Sequence, residues 1–228
     1  MLLAVDTSTT QMGLALYDGA QVLGEYAWRS GQRHTVELAP AIADLLTRCA
    51  VTMDDVKVLG VALGPGSFTS LRVGLALVKG LALSRHIPLI GIHTLDILAH
   101  AQLVSDLPLA VAIQAGRGRY AMGWYKRSNP ADQVSSKQWQ AQGEARVVTL
   151  EAIMAEAQSP LVMCGEFTAE TRQKIMLNEN IQLASPVHSI RRPALLAELA
   201  WARWQNNDVD DAAALAPIYL HVAEPIQS

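Results

Sequence analysis

Apolar positions along the chain come in short runs broken by turn residues, and their spacing predicts strands and helices in a definite order. Leu2 to Val5 is a hydrophobic strand ending at Asp6, the hydroxyl-rich turn Thr7-Ser8-Thr9-Thr10 follows, and Met12 to Tyr17 is a second strand. Asp18-Gly19 is a hairpin signal, and Gln21 to Trp28 returns as a third strand. His34 to Cys49 reads as a helix, with Pro40 in its first turn if it begins near Ala39, or kinking a longer one. Val58 to Leu63, a helix to Arg85 and Pro88 to Ile92 then form a βαβ unit with parallel pairing, and Thr94 to Leu103 is a short helix.

Both long helices carry more apolar surface than one core contact uses. In the first, Val36, Ala39, Ala43 and Leu46 line one side while Leu38, Ile42 and Leu45 extend round the barrel, leaving Glu37, Asp44 and Arg48 as the wet face. In the second, helical spacing puts Gly74, Leu77, Val78 and Leu81 on one face and Arg72, Leu75, Ala76, Lys79 and Leu83 on the other. The two cations argue against burial of that second face, so an exposed face with apolar content is expected. The turn before this helix, Gly64-Pro65-Gly66-Ser67-Phe68-Thr69, offers Ser67, Thr69 and Ser70 as N-caps and a helix mouth able to attract an anion. A well-capped turn with no ligand explains the same residues.

After Pro108 the plan restarts. Shifting the first segment by 108 residues lays Ala4-Val5-Asp6 on Ala112-Ile113-Gln114 and Gly13 to Tyr17 on Ala121 to Tyr125. The pattern survives the shift but the acid does not. A polar stretch from Ser128 to Arg146 reads as a long irregular hairpin. Helix Leu150 to Ala157, strand Leu161 to Cys164, helix Thr168 to Leu177, a short strand around Ile181 and helix Pro193 to Gln205 complete a second half, before an extended tail from Ala216 to Pro225. The expected class is therefore α/β with two subdomains, 1–107 and 108–228, the last helix free to pack back on the first.

Composition narrows the partners. With 228 residues, half of them apolar, and a net charge of -3, the chain is an ordinary globular protein without a basic tract. Only Arg117, Arg119, Lys126 and Arg127 make a local basic patch, so autonomous nucleic-acid binding is not expected, and binding through a partner stays open. No apolar run is long enough to span a bilayer and Met1 leads directly into a strand, which points to a cytoplasmic protein with no membrane partner. Cys49 and Cys164, far apart in apolar surroundings, read as two free thiols.

Two duplicated α/β halves, the Asp6-Thr7-Ser8-Thr9 turn and the Gly64 to Thr69 turn together resemble the actin-like, sugar-kinase and Hsp70-like ATPase superfamily, of ribonuclease H-like fold. Within it, Ala4-Val5-Asp6-Thr7-Ser8, Gly64 to Thr69 with Leu71-Arg72-Val73-Gly74, Lys79-Gly80-Leu81-Ala82, Pro88-Leu89-Ile90-Gly91-Ile92 and the closing Pro217-Ile218-Tyr219-Leu220 resemble the bacterial TsaB (YeaZ) family. The likeness is dense over the first hundred or so residues and thin afterwards. It implies a subunit of the machinery that makes threonylcarbamoyladenosine in tRNA: a non-catalytic paralogue that pairs with the catalytic subunit TsaD through helices of the first half, joined by the ATPase TsaE. On that reading Leu38, Ile42 and Leu45 with Arg72, Leu75, Ala76, Lys79 and Leu83 form the partner interface, and the isolated chain closes on a second copy as a homodimer.

The residues also weigh against catalysis. TsaD-like proteins carry two histidines one turn apart after the strand matching Leu89 to Ile92; here those positions hold Thr94 and Leu98, while His93 and His100 are two helical turns apart, about 10 Å, too far for one ion. No metal site is expected. Asp6 with Thr7 and Ser8 is able to orient a hydrated metal, as this position does in the superfamily's ATPases, but the matching Gln114 removes the second carboxylate. Asp6, Thr7, Ser67 and Thr69 are thus expected to be a vestigial phosphate site, with Asp6 mainly ordering its turn and no cofactor beyond weak ATP, ADP or magnesium. An actin-like ATPase or phosphotransferase is the alternative; a peptidase has no nucleophile, base and orienter to work with.

Overall fold

The structure is a computed structural model and describes residues 1–31, 33–128 and 139–220. It divides into two compact units, Met1–Ile97 joined by Arg191–Ile218, and Leu98–Ile190 joined by the chain from Tyr219. The break falls after Ile97, ten residues ahead of the expected boundary at 107, and the chain re-enters the first unit at Arg191.

The first unit is built on a mixed sheet of β1 (Leu2–Asp6), β2 (Gln11–Tyr17), β3 (Val22–Arg29), β4 (Val58–Gly64) and β5 (Leu89–His93), in the order β3-β2-β1-β4-β5. The first three strands are antiparallel neighbours, and β4 and β5 add in parallel across helical crossovers. β1 is buried along its whole length, which explains its unbroken apolar run. Helices α1 (His34–Arg48) and α2 (Phe68–Arg85) cover one face, their Leu38, Leu45, Leu75 and Val78 meeting Leu3, Val5, Leu14 and Leu59 from the sheet. Pro40 lies inside α1 on its exposed side. A seven-residue helix, α3 (Thr94–His100), follows β5.

The second unit repeats the plan. Its strands are β6 (Leu109–Gly116), β7 (Arg119–Arg127), β8 (Trp139–Ala141), β9 (Arg146–Thr149), β10 (Leu161–Gly165) and β11 (Ile181–Leu183), ordered β11-β10-β6-β7-β8 with β9 also paired to β7. Matching β6 to β1, β7 to β2, β8 to β3, β10 to β4 and β11 to β5 reproduces every neighbour and every direction of the first sheet. That is the duplicated actin-like plan. The register corrects the expected match: the face under the crossover helices carries Leu3 and Val5 on β1 but Ala110 and Ala112 on β6, while Leu14 and Leu16 on β2 match Met122 and Trp124 on β7. The 108-residue shift therefore holds on β7 and slips by one residue on β6, and the Asp6–Gly13 pair corresponds to Ile113–Ala121. The crossovers α4 (Leu150–Glu156) and α5 (Ala169–Ile175) have seven residues each, against fifteen and eighteen in α1 and α2. A 3-10 turn spans Pro186–Ser189. Most of the expected Ser128 to Arg146 hairpin, and the tail beyond Leu220, lie outside the described residues.

The last helix, α6 (Pro193–Gln205), belongs to the first unit and fills the other face of its sheet. Leu196, Ala197, Leu199 and Ala200 pack on Leu2, Ala4, Val58 and Ile90. Pro193 suits a first helical position, and Glu25 on β3 holds that end by accepting from the Ala194 amide at 3.0 Å and pairing with Arg192.

Candidate functional site

The turn between β1 and β2 brings three sequence-distant segments together. Asp6 Oδ1 accepts the Ser8 amide at 2.8 Å, closing the turn locally. Its other oxygen accepts from Arg191 Nε at 2.7 Å, and both side chains are almost fully buried, 3% and 1% exposed. Arg191 Nη2 donates onward to Thr9 Oγ1 at 3.0 Å and to the Gln11 carbonyl at 3.1 Å. The carboxylate expected beside a phosphate or a hydrated metal is thus answered by an internal guanidinium. Nothing in the sequence singled out Arg191, which lies 185 residues from Asp6. Its Arg-Arg-Pro setting before an apolar helix was the available signal.

The glycine turn is locked by the same segment. Ser67 donates its amide to the Ser8 carbonyl at 2.7 Å, and a β-carbon on Gly66 would run into that carbonyl. Ser67 Oγ caps α2 by accepting from the Ser70 amide and pairs with the Ser70 hydroxyl at 3.0 Å. Thr7 donates to the Ser70 carbonyl at 2.8 Å, which requires so close an approach of α2 that a β-carbon on Gly74 would strike the Thr7 hydroxyl. Thr94, at a position where a TsaD-like histidine is expected, bonds the Ser8 hydroxyl at 2.8 Å and accepts the Gly64 amide at 2.9 Å. Of the four residues expected to hold phosphate, Asp6 and Thr7 are buried and engaged, whereas Ser67 and Thr69 sit on the surface. Among the described residues no group of three or more His, Cys, Asp or Glu side chains is placed to hold a metal ion.

The helical pair contributes the other candidate surface, with a different membership from the expected one. Leu38, Ile42, Leu45 and Leu75 are core residues, Leu75 only 5% exposed, so none of them is available to a partner. The error is one of rotation: periodicity defines faces without saying which one meets the sheet, and the buried face of α2 is centred on Leu71, Gly74, Leu75, Val78 and Ala82. What faces outward is Arg72, Ala76 and Leu83 on α2, with Phe68 at its start, and Val36, Ala39 and Ala43 on α1. Val36, Phe68 and Leu83 are 65%, 53% and 55% exposed, unusual for large apolar side chains on one helical pair. Between the helices lies an open depression of 470 Å³ lined by Thr35, Phe68, Thr69, Arg72, Val73 and Ala76. The Arg72 guanidinium stacks 3.6 Å from the Phe68 ring centre, so its charge and the ring form one amphipathic rim. Lys79, expected to face a partner, instead turns Nζ toward the carbonyls of Ala213 and Leu215, both at 3.0 Å.

The second unit offers less. Gln114 is exposed, and its hairpin turn carries Arg117 at a positive φ of 52° between two glycines. Of the expected basic patch, Arg127 is paired with Asp106 at 2.8 Å, Arg119 is half-buried, and Arg117 and Lys126 are exposed. Cys164 is buried and burial pushes its thiol pKa well up, while Cys49 is half-buried; both are free. No helix among the described residues is long and apolar enough to cross a membrane.

Comparison with known proteins converges on one family. Residues 28–144 match the family model for tRNA N6-adenosine threonylcarbamoyltransferase, TsaD. Over 232 aligned positions, covering 98% of this chain and 95% of the other, it is 30% identical to the tRNA threonylcarbamoyladenosine biosynthesis protein TsaB of Bacillus subtilis. It is 37% identical over 107 residues to the tRNA N6-adenosine threonylcarbamoyltransferase of Syntrophotalea carbinolica, a match spanning 45% of this chain and 30% of that protein. In three dimensions it superposes on YeaZ from Pseudomonas aeruginosa with a TM-score of 0.74, covering 96% of this chain and 99% of that one at 23% identity.

Proposed function

The chain belongs to the TsaB family of tRNA threonylcarbamoyladenosine biosynthesis proteins, and from that premise we propose that it works as a non-catalytic subunit, binding the threonylcarbamoyltransferase TsaD and allowing the ATPase TsaE to join. The observation that carries this reading is the outward face of α1 and α2, where Val36, Phe68, Ala76 and Leu83 stand exposed around an open depression. A specific contact needs about 800 Å² per partner. Helices of fifteen and eighteen residues, about 22 and 27 Å long, are large enough to present it.

Two features support a supporting rather than a catalytic role. Asp6 is neutralised by Arg191 inside the unit, so a nucleotide-bound metal would have to displace a buried ion pair. Thr94 and Leu98 stand where the transferase family carries its metal-binding histidines, and Thr94 is fully occupied in fastening the Gly64 turn. The chain then acts in the cytoplasm, reaches tRNA only through the complex, and in isolation pairs with a second copy through the same helices, since a two-fold contact reuses one patch.

The test is co-purification of this chain with the threonylcarbamoyltransferase of the same organism. Leu83→Glu should leave a folded protein and abolish the complex; persistence of the complex removes the interface assignment. The enzymatic alternative is checked separately by calorimetry with ATP and magnesium, where micromolar binding lost in Asp6→Ala would establish a working nucleotide site.

A further inference from the structure

The segment after α6 runs as a strap across the first unit. Arg203 holds Asp208 at 2.7 Å and Asp210 at 3.1 Å, and donates to the Gly91 carbonyl at 2.8 Å. Asp210 then closes the outer edge of β5: its amide donates to the Leu89 carbonyl at 3.0 Å and its carboxylate accepts the Gly91 amide at 2.7 Å. Ala212 and Leu215 pack against the core beneath α2. At the far end the Ile218 amide donates to the Leu63 carbonyl at 2.7 Å, at the root of the turn that leads into α2. Between these anchors, the described link from the outward stripe of α2 to the strap is Lys79, whose ammonium bridges two strap carbonyls two residues apart.

Lys79 shares its helical line with Arg72, Ala76 and Leu83, at spacings of seven, three and four residues. It occupies the partner-facing stripe and spends its charge inward. We propose that Lys79 is a positioning residue: by tying α2 to the 208–218 strap it fixes the height and rotation of the Arg72–Ala76–Leu83 stripe against which TsaD docks. The proposal rests on the partner reading above. It adds that the binding surface is set from behind, by a segment that enters the unit only after the chain has traversed the other one.

Three proteins decide it, each titrated calorimetrically with the transferase and followed by hydrogen exchange: wild type, Lys79→Met, and Leu215→Ala on the strap. Lys79→Met should weaken the complex about tenfold, a shift of about 1.4 kcal/mol, and speed exchange at Ile218 and through 213–216 in the free protein. Leu215→Ala should weaken it similarly, and the double variant should lose less than the sum because both changes loosen one latch. Weakened binding by Lys79→Met with unchanged strap exchange and no effect of Leu215→Ala makes Lys79 a direct partner contact and overturns the proposal. Faster exchange with intact affinity overturns it too. If wild type does not bind the transferase, the partner reading itself fails, an outcome distinct from either.

Discussion

The two units share one strand order and one set of directions, and differ in what they do with the turn and the crossovers. In the first, the turn after β1 is a buried polar knot of Asp6, Thr7, Ser8 and Thr9 tied to Arg191, Ser67 and Thr94. In the second, Ile113 takes the place of Asp6, and the turn residues from Gln114 to Gly118 are all exposed. The long helices α1 and α2, with their apolar outer face, correspond to the single two-turn helices α4 and α5. A duplicated fold has therefore kept its scaffold twice and its elaborated surface once. The polar knot of the first unit seats α2, through the Thr7–Ser70 and Ser67–Ser8 hydrogen bonds.

The sharpest way to break that comparison is to change the two matching turns. Removing one partner of a buried pair leaves the other charge uncompensated, so Asp6→Ala or Arg191→Met should cost about 3–5 kcal/mol in denaturant unfolding. Gln114→Ala, in the matching but exposed turn of the second unit, where the place of Asp6 itself is taken by Ile113, should stay within about 0.5 kcal/mol. Equal effects would mean the two turns are not different in kind. Next in size, Gly74→Ala drives a β-carbon into the Thr7 hydroxyl and should cost about 1–3 kcal/mol through overpacking, read from the shift in denaturation midpoint. Leu83→Glu and Leu177→Glu, both on exposed sites, should each change stability by less than about 0.5 kcal/mol. Only the first should affect association, seen as a change in sedimentation coefficient. Smallest of all, Cys164 should resist alkylation in the native protein and react only on unfolding, because burial disfavours its thiolate.

Much of this fold is readable in the sequence because local rules agree with tertiary ones. Alternation and Asp18-Gly19 define the first hairpin pair, and the expected helix Pro193 to Gln205 coincides with α6 end to end. The duplication is visible as a shift of 108 residues, although a shorter second hairpin costs it one residue of register on β6, so the residue laid on Asp6 is Ile113 and not Gln114. The candidate site is less legible, for two physical reasons. Helical periodicity sorts residues into faces but carries no information on which face meets the sheet, so Leu75 and Leu38 fall on the wrong side. Long-range ion pairs leave no local trace: Asp6 looks like a metal-ready acid until Arg191, in a segment that returns from the far end of the chain, is placed beside it. Lys79 fails for the same reason, since its acceptors lie 134 and 136 residues away.

The most direct test of the partner surface is a calorimetric titration of the threonylcarbamoyltransferase with wild type, Leu83→Glu and Leu177→Glu under one set of conditions. If the α1–α2 face of the first unit is the binding surface, wild type and Leu177→Glu bind alike and Leu83→Glu shows no heat of association. Undiminished binding by Leu83→Glu, or its loss in Leu177→Glu alone, would place the interface elsewhere and contradict the division of labour between the two units.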